Sequence, residues 1–179
     1  MKKIAISICL SLSLLCFNSA FAKAASADAS VPAVTVKIVN SDGRAIGTAQ
    51  LVQQTHGVHI YLQAEKLPPG THGIHFHTIG KCETPDFKSA GEHFNPQGKQ
   101  HGFHNPKGFH AGDLLNIQVG ADGRVKAELV SQTVTLVKGK SNSLLKPGGT
   151  SLMIHEKADD YVTDPAGNSG SRIACGSIQ

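Results

Sequence analysis

From residue 34 onward the chain alternates apolar and polar positions with a period of two. Val34, Val36 and Ile38 interleave with Thr35, Lys37 and Val39, and Asp42-Gly43 follows as a turn. Ala45 to Gln53 and Val58 to Lys66 repeat the pattern, separated by a turn at His56-Gly57. Leu115-Ile117-Val119 runs into Asp122-Gly123, and Val125-Ala127-Leu129 runs back out, which is the signature of a hairpin. Val134-Leu136, Leu152-Ile154 and Ile173 complete the set. No stretch of helical length carries a 3.6-residue period. Short strands at regular intervals with Gly-rich turns predict an all-β, antiparallel sandwich or barrel.

Two segments break the rhythm, Ile79 to Gly112 and the shorter Glu156 to Ser171. A loop as long as the first is uncommon in a compact domain unless something holds it. The sequence therefore has to supply a clamp.

The N-terminus reads differently from the rest. Lys2 and Lys3 precede an almost wholly apolar run from Ile4 to Phe17, and Ala20-Phe21-Ala22 has the small-x-small form of a cleavage site. Residues 1–22 read as a secretory signal peptide, with a lipoprotein signal ending at Cys16 as a less fitting alternative because Leu15 is bulky. Residues 23–30, Ala/Ser-rich and aperiodic, read as a flexible tether. Residues 31–179 read as one folded domain. The expected location is outside the cytoplasm, in the periplasm or in the medium. No later stretch approaches the roughly 20 apolar residues of a membrane helix, so obligate membrane insertion is not expected.

Removal of the signal would leave two cysteines, Cys82 and Cys175, whose simplest state in an exported protein is one disulfide, the alternative being two separate thiols. In the chain-entropy view such a bond is worth about 4–5 kcal/mol. The formal net charge of +4 would fall to +2 with the loss of Lys2 and Lys3. The remaining cations are scattered, so nucleic acid is not an expected partner.

Against 2 Tyr and no Trp, the chain has 10 His, and these ask for an explanation. In Gly73-Ile74-His75-Phe76-His77 a strand would turn Ile74 and Phe76 to the core and His75 and His77 outward together, about 6.5–7 Å apart, a spacing at which two imidazoles can converge on one metal. His93, His101, His110 and Asp113 follow at intervals of seven, eight and two residues. Three imidazoles and a carboxylate form a plausible tetrahedral zinc set, and metal binding would offset the entropy of ordering the loop. A His-rich exposed loop with accidental affinity is the plainer reading of the same residues. His56, His59, His72 and His104 match no ligand pattern and are expected to be ordinary surface or turn residues.

With those segments, Gly91-Glu92-His93-Phe94-Asn95-Pro96, His155-Glu156-Lys157-Ala158-Asp159-Asp160 and Gly170-Ser171-Arg172-Ile173-Ala174-Cys175-Gly176 resemble the copper/zinc superoxide dismutase family, over a span from about Val34 to Ile178. The resemblance implies a Greek-key sandwich or barrel of about eight strands with two long functional loops. It implies copper on His75, His77, His93 and His155, and zinc on His93, His101, His110 and Asp113, with His93 shared. It implies that Asp159 joins His75 to His101 behind the metals and that Arg172 attracts the superoxide anion beside copper. The implied reaction is dismutation of superoxide to oxygen and hydrogen peroxide by one-electron cycling at copper, with His93 and Arg172 as the catalytic residues. A non-catalytic copper/zinc buffer protein is the alternative. The resemblance covers monomers and dimers, so a homodimer is one expected assembly. With so small a net charge, steering of the anion falls to local cations: Arg172 and lysines such as Lys157, Lys81 and Lys88.

Overall fold

The computed structural model describes residues 32–179; the segments read as signal peptide and tether, Cys16 included, lie outside the described residues. The predicted alternation becomes nine strands: β1 (Ala33–Asn40), β2 (Ala45–Gln54), β3 (Gly57–Ala64), β4 (Gly70–His72), β5 (Ile74–His77), β6 (Ile117–Val119), β7 (Val125–Ser131), β8 (Thr150–His155) and β9 (Arg172–Ile178). Seven form one antiparallel sheet in the order β5-β8-β9-β1-β2-β3-β7, and β4 pairs with β6. No helix among the described residues is long and apolar enough to cross a membrane.

Inward side chains follow the period. Val36 and Ile38 on β1, Val58, Ile60 and Leu62 on β3, and Leu152 and Ile154 on β8 are buried in one core. On β2 the buried positions Ile46 and Ala49 are three residues apart, which strict alternation forbids. A bulge resolves the conflict: Ile38 pairs with Gly47 and Val39 with Ala45, leaving Ile46 as the extra residue.

Three expectations change. The Asp122-Gly123 turn forms, with the Gly120 N–H donating to the Arg124 carbonyl at 2.9 Å. Its two arms do not pair as a hairpin, however. β6 leaves to pair with β4 while β7 pairs with β3, and Leu115 is exposed. Val134-Leu136 is not a strand of the sheet. Both side chains are buried, but Gln53 Oε1 takes the Thr135 hydroxyl and the Leu136 N–H, at 2.7 and 2.8 Å. A single side chain there replaces a ladder partner. Lastly, β5 is buried on both faces. Ile74 and Phe76 enter the core as predicted, but the two long loops cover His75 and His77 instead of leaving them to solvent.

The loop 79–112 carries a second small core of its own. Phe87 and Ala90 pack with Met153 and Cys175, and Cys175 is disulfide-bonded to Cys82. Met153 faces away from the main core because it alternates with Leu152 and Ile154 along β8. That outer face of β8 is the floor on which the loop is fixed.

Candidate metal centre

Three backbone segments bring His75, His77, His93, His110 and Asp113 together, and peptide hydrogen bonds hold them in register. The Phe76 N–H donates to the Gly112 carbonyl, Gly112 N–H to the Phe94 carbonyl, and Phe94 N–H to the Phe76 carbonyl, each at 2.8 Å. The three bonds close a ring. Phe76 lies between His75 and His77, Phe94 follows His93, and Gly112 sits between His110 and Asp113. A side chain at Gly112 would run into the Phe76 carbonyl, so only glycine fits this close approach.

Two groups of ligand atoms result. His75, His77, His93 and His155 form one; His93, His101, His110 and Asp113 form the other; within each the donor atoms lie within 4.8 Å of one another. In the first, His75 Nδ1, His77 Nε2, His93 Nε2 and His155 Nε2 are buried and have no hydrogen-bond partner. Native structures rarely bury unpaired polar atoms, so four that converge fit the coordination of a cation, and an all-imidazole set suits copper. In the second group Asp113 Oδ1 lies 3.2 Å from His93 Nδ1, 3.0 Å from His101 Nδ1 and 3.5 Å from His110 Nδ1. Three nitrogens and a carboxylate oxygen fit zinc. His93 belongs to both, through opposite ring nitrogens.

The other ring nitrogens are committed elsewhere, which fixes each tautomer. His77 Nδ1 donates to the Gly91 carbonyl at 2.9 Å, and His155 Nδ1 lies 3.3 Å from the Gly170 carbonyl. Asp159 spans the two groups: Oδ2 is 2.7 Å from His75 Nε2, and Oδ1 is 3.0 Å from His101 Nε2. The Gly102 and His110 N–H groups both donate to Asp113 Oδ2 at 3.0 Å.

Electrostatics sets His101 apart from the four imidazoles of the first group. Burial pulls the imidazoles of His75, His93 and His155 down to about 4 and His77 well below its ordinary value, so in neutral solution their nitrogens are free to ligate. Burial acts on His101 in the same direction, but its hydrogen bonds to Asp113 and Asp159 outweigh it and raise the ring to about 9. Burial pushes the Asp113 and Asp159 carboxyls up, and the histidine hydrogen bonds override it, holding both well below the usual carboxylate range.

Arg172, at the start of β9, donates from Nη1 to the Phe87 carbonyl at 2.9 Å and from Nη2 to the Gly91 carbonyl at 2.7 Å. It lines a cavity of about 670 Å³ with Lys88, Asp86, Glu92 and Gly170. Lys88 is paired with Asp86 at 2.8 Å, and Lys81 and Lys157 are exposed.

Sequence reasoning missed several supporting residues. His72 is not a surface residue: it is 2% exposed, with Nδ1 2.8 Å from the His155 carbonyl and Nε2 2.8 Å from the Pro68 carbonyl. Its place on the same face of β4 as the core, two positions from Gly70, was the available signal. Asn116 holds both peptide groups of Asp159, through Nδ2 to its carbonyl and Oδ1 from its N–H, each at 2.9 Å. Nothing in the local sequence around Asn116 points to a residue so far along the chain. His56 and His104 are exposed, and His59 rests against Glu128, as expected of ordinary positions.

Fold and site together define an all-β protein built around two adjoining metal-binding groups. Residues 45–178 match the family described as copper/zinc superoxide dismutase (SODC). The chain is 53% identical over 143 residues to superoxide dismutase [Cu-Zn] 1 of Aquifex aeolicus, covering 79% of this chain and 85% of that one. It is 50% identical over 144 residues to superoxide dismutase [Cu-Zn] 2 of the same organism, covering 80% and 84%. Among solved structures, a SOD-like protein from Bacillus subtilis superposes with a TM-score of 0.79 at 45% identity, over 81% of this chain and 97% of that one. The chain belongs to the copper/zinc superoxide dismutase family. It is an oxidoreductase that uses copper and zinc to dismutate superoxide to oxygen and hydrogen peroxide.

Proposed function

We propose that His75, His77, His93 and His155 hold the copper, that His93, His101, His110 and Asp113 hold the zinc, and that Arg172 and His93 act on substrate. The observation that carries this reading is the set of four buried, unpartnered nitrogens converging on one point. When bound, copper supplies the one-electron oxidation and reduction. The balance is two superoxide anions and two protons to one oxygen and one hydrogen peroxide.

Arg172 attracts and orients the anion. Two of its five N–H groups are spent on carbonyls, which leaves three for the anion. His93 handles a proton at Nε2, the nitrogen on the copper side, while Nδ1 stays with Asp113. Among the four proposed copper ligands His93 is the most exposed, at 7% where His75 is fully buried, which suits it to take up a proton. Asp159 keeps a proton on the Nε2 atoms of His75 and His101 and so leaves both Nδ1 atoms to the metals.

The disulfide and the bacterial relatives suggest export, and the periplasm is the compartment we propose. A homodimer remains the assembly to test by sedimentation. A non-catalytic metal buffer is not favoured, because relatives at up to 53% identity are superoxide dismutases.

His155→Ala tests the assignment. The variant should keep zinc, lose copper together with its red absorption, and lose dismutation. Retention of stoichiometric copper would overturn the ligand set.

A further inference from the structure

We propose that Tyr161 is a positioning residue that ties the zinc loop to Asp159 and thereby sets how tightly zinc is held. The proposal rests on the zinc reading above. Tyr161 is a bulky residue with φ 63°, in the left-handed region that favours glycine. Such a backbone persists only when its surroundings over-determine it, and here they do. The Tyr161 N–H donates to Asp159 Oδ1 at 2.7 Å, closing a short turn onto the same oxygen that meets His101. Its carbonyl accepts the His104 N–H at 2.9 Å. Its hydroxyl accepts the Asn116 N–H at 2.7 Å.

These contacts reach Asp159 by two routes. One is the direct bond from the Tyr161 N–H. The other runs through Asn116, whose side chain grips both peptide groups of Asp159 and whose own N–H is held by the Tyr161 hydroxyl. The ring supplies the fixed point. It stands against Phe103 and His104 with centroids 5.7 Å apart in each case, and Phe103 in turn packs on Phe109 at 4.6 Å. Gly102, next to His101, lies so close to the Tyr161 carbonyl that a side chain there would collide with it. One residue of the loop 156–171 is thus clamped on the segment that carries His101. Loss of the clamp frees Asp159, and with it the orientation of the His101 ring.

The test uses purified protein carrying Tyr161→Phe, which removes one oxygen and leaves the ring. Tyr161→Gly, which accepts the backbone angle without strain, is the second variant, and Tyr61→Phe on β3 is the control. Zinc affinity is measured by chelator competition, and cobalt(II) in the zinc site is followed by its visible bands. Tyr161→Phe should weaken zinc about tenfold, the low end for loss of a ligand's supporting partner. Tyr161→Gly should weaken it further. Both should alter the cobalt spectrum, while Tyr61→Phe changes neither. Parental zinc affinity and cobalt bands in Tyr161→Phe, whatever the Tm, overturn the inference; Tyr161→Gly decides in the same way if the first variant does not fold. Zinc uptake that His110→Ala leaves unchanged would instead overturn the underlying zinc reading, and this inference with it.

Discussion

Arg172 and His77 meet on a single atom, the carbonyl oxygen of Gly91. Arg172 Nη2 donates to it at 2.7 Å and His77 Nδ1 at 2.9 Å. The cation proposed to draw in substrate and a ring proposed to hold copper are therefore positioned by the same peptide group. That group belongs to the loop that the disulfide fixes to β9 and that Phe87 packs against β8 and β9.

Arg172→Glu should lower kcat/KM by well over tenfold while bound copper stays stoichiometric. Arg172→Lys should fall between the two, because one ammonium cannot fork across the Phe87 and Gly91 carbonyls. Equal rates for the parent and Arg172→Glu would remove Arg172 from the mechanism.

The sequence suggested that lysines near the cavity steer the anion. The structure pairs Lys88 with Asp86 and places Glu92 on the same cavity as Arg172, so acidic groups offset much of the positive rim. Glu92→Gln should therefore raise kcat/KM a few-fold at low ionic strength. The gain should vanish near 1 M salt, where screening acts within about 3 Å. A rate unchanged at low salt would show that Glu92 does not oppose the approaching anion.

Metal-free protein should be most stable near pH 6.5. Below that, unfolded histidines take up protons that His75, His93 and His155 refuse in the folded chain until about pH 4, so stability falls on acidification. Above it, the protonated His101 loses its advantage as pH rises through about 9. Thermal melts of the apo protein from pH 4.5 to 9 should trace this maximum, and a flat Tm across the range would contradict it.

Zinc removal with copper retained should raise hydrogen exchange across 79–112, most of all around His101 and His110. The disulfide anchors the opposite end of that loop at Cys82, so protection near Phe87 should survive. Uniform protection with and without zinc would show that the loop is ordered by its own packing.

How much of this was legible depended on range. The inward residues of β1, β3 and β8 followed from alternation alone, because a period of two is a property of neighbouring residues. The residues proposed as ligands were singled out by their types and motifs, and the fold gathers them into two groups that could hold a metal. What lay beyond reach was whatever covers a surface. His75 and His77 do turn away from the core, but the loops bury that face, and no local pattern encodes which loop returns over which strand. Leu115 and Val134-Leu136 misled for the same reason. An apolar residue beside a strand pattern carries no mark of whether a partner strand or a glutamine side chain will meet it.

The ring of hydrogen bonds among Phe76, Phe94 and Gly112 gives the centre redundancy. An open chain of contacts fails at its weakest member, whereas a closed ring survives the opening of any one bond, because the other two still connect all three segments. Thermal fluctuation at a single peptide therefore does not let the spacing between the two ligand groups drift. The frame itself is made of peptide groups, so it serves whichever ion arrives first, and the stretch between Phe94 and Gly112 is left for zinc to order.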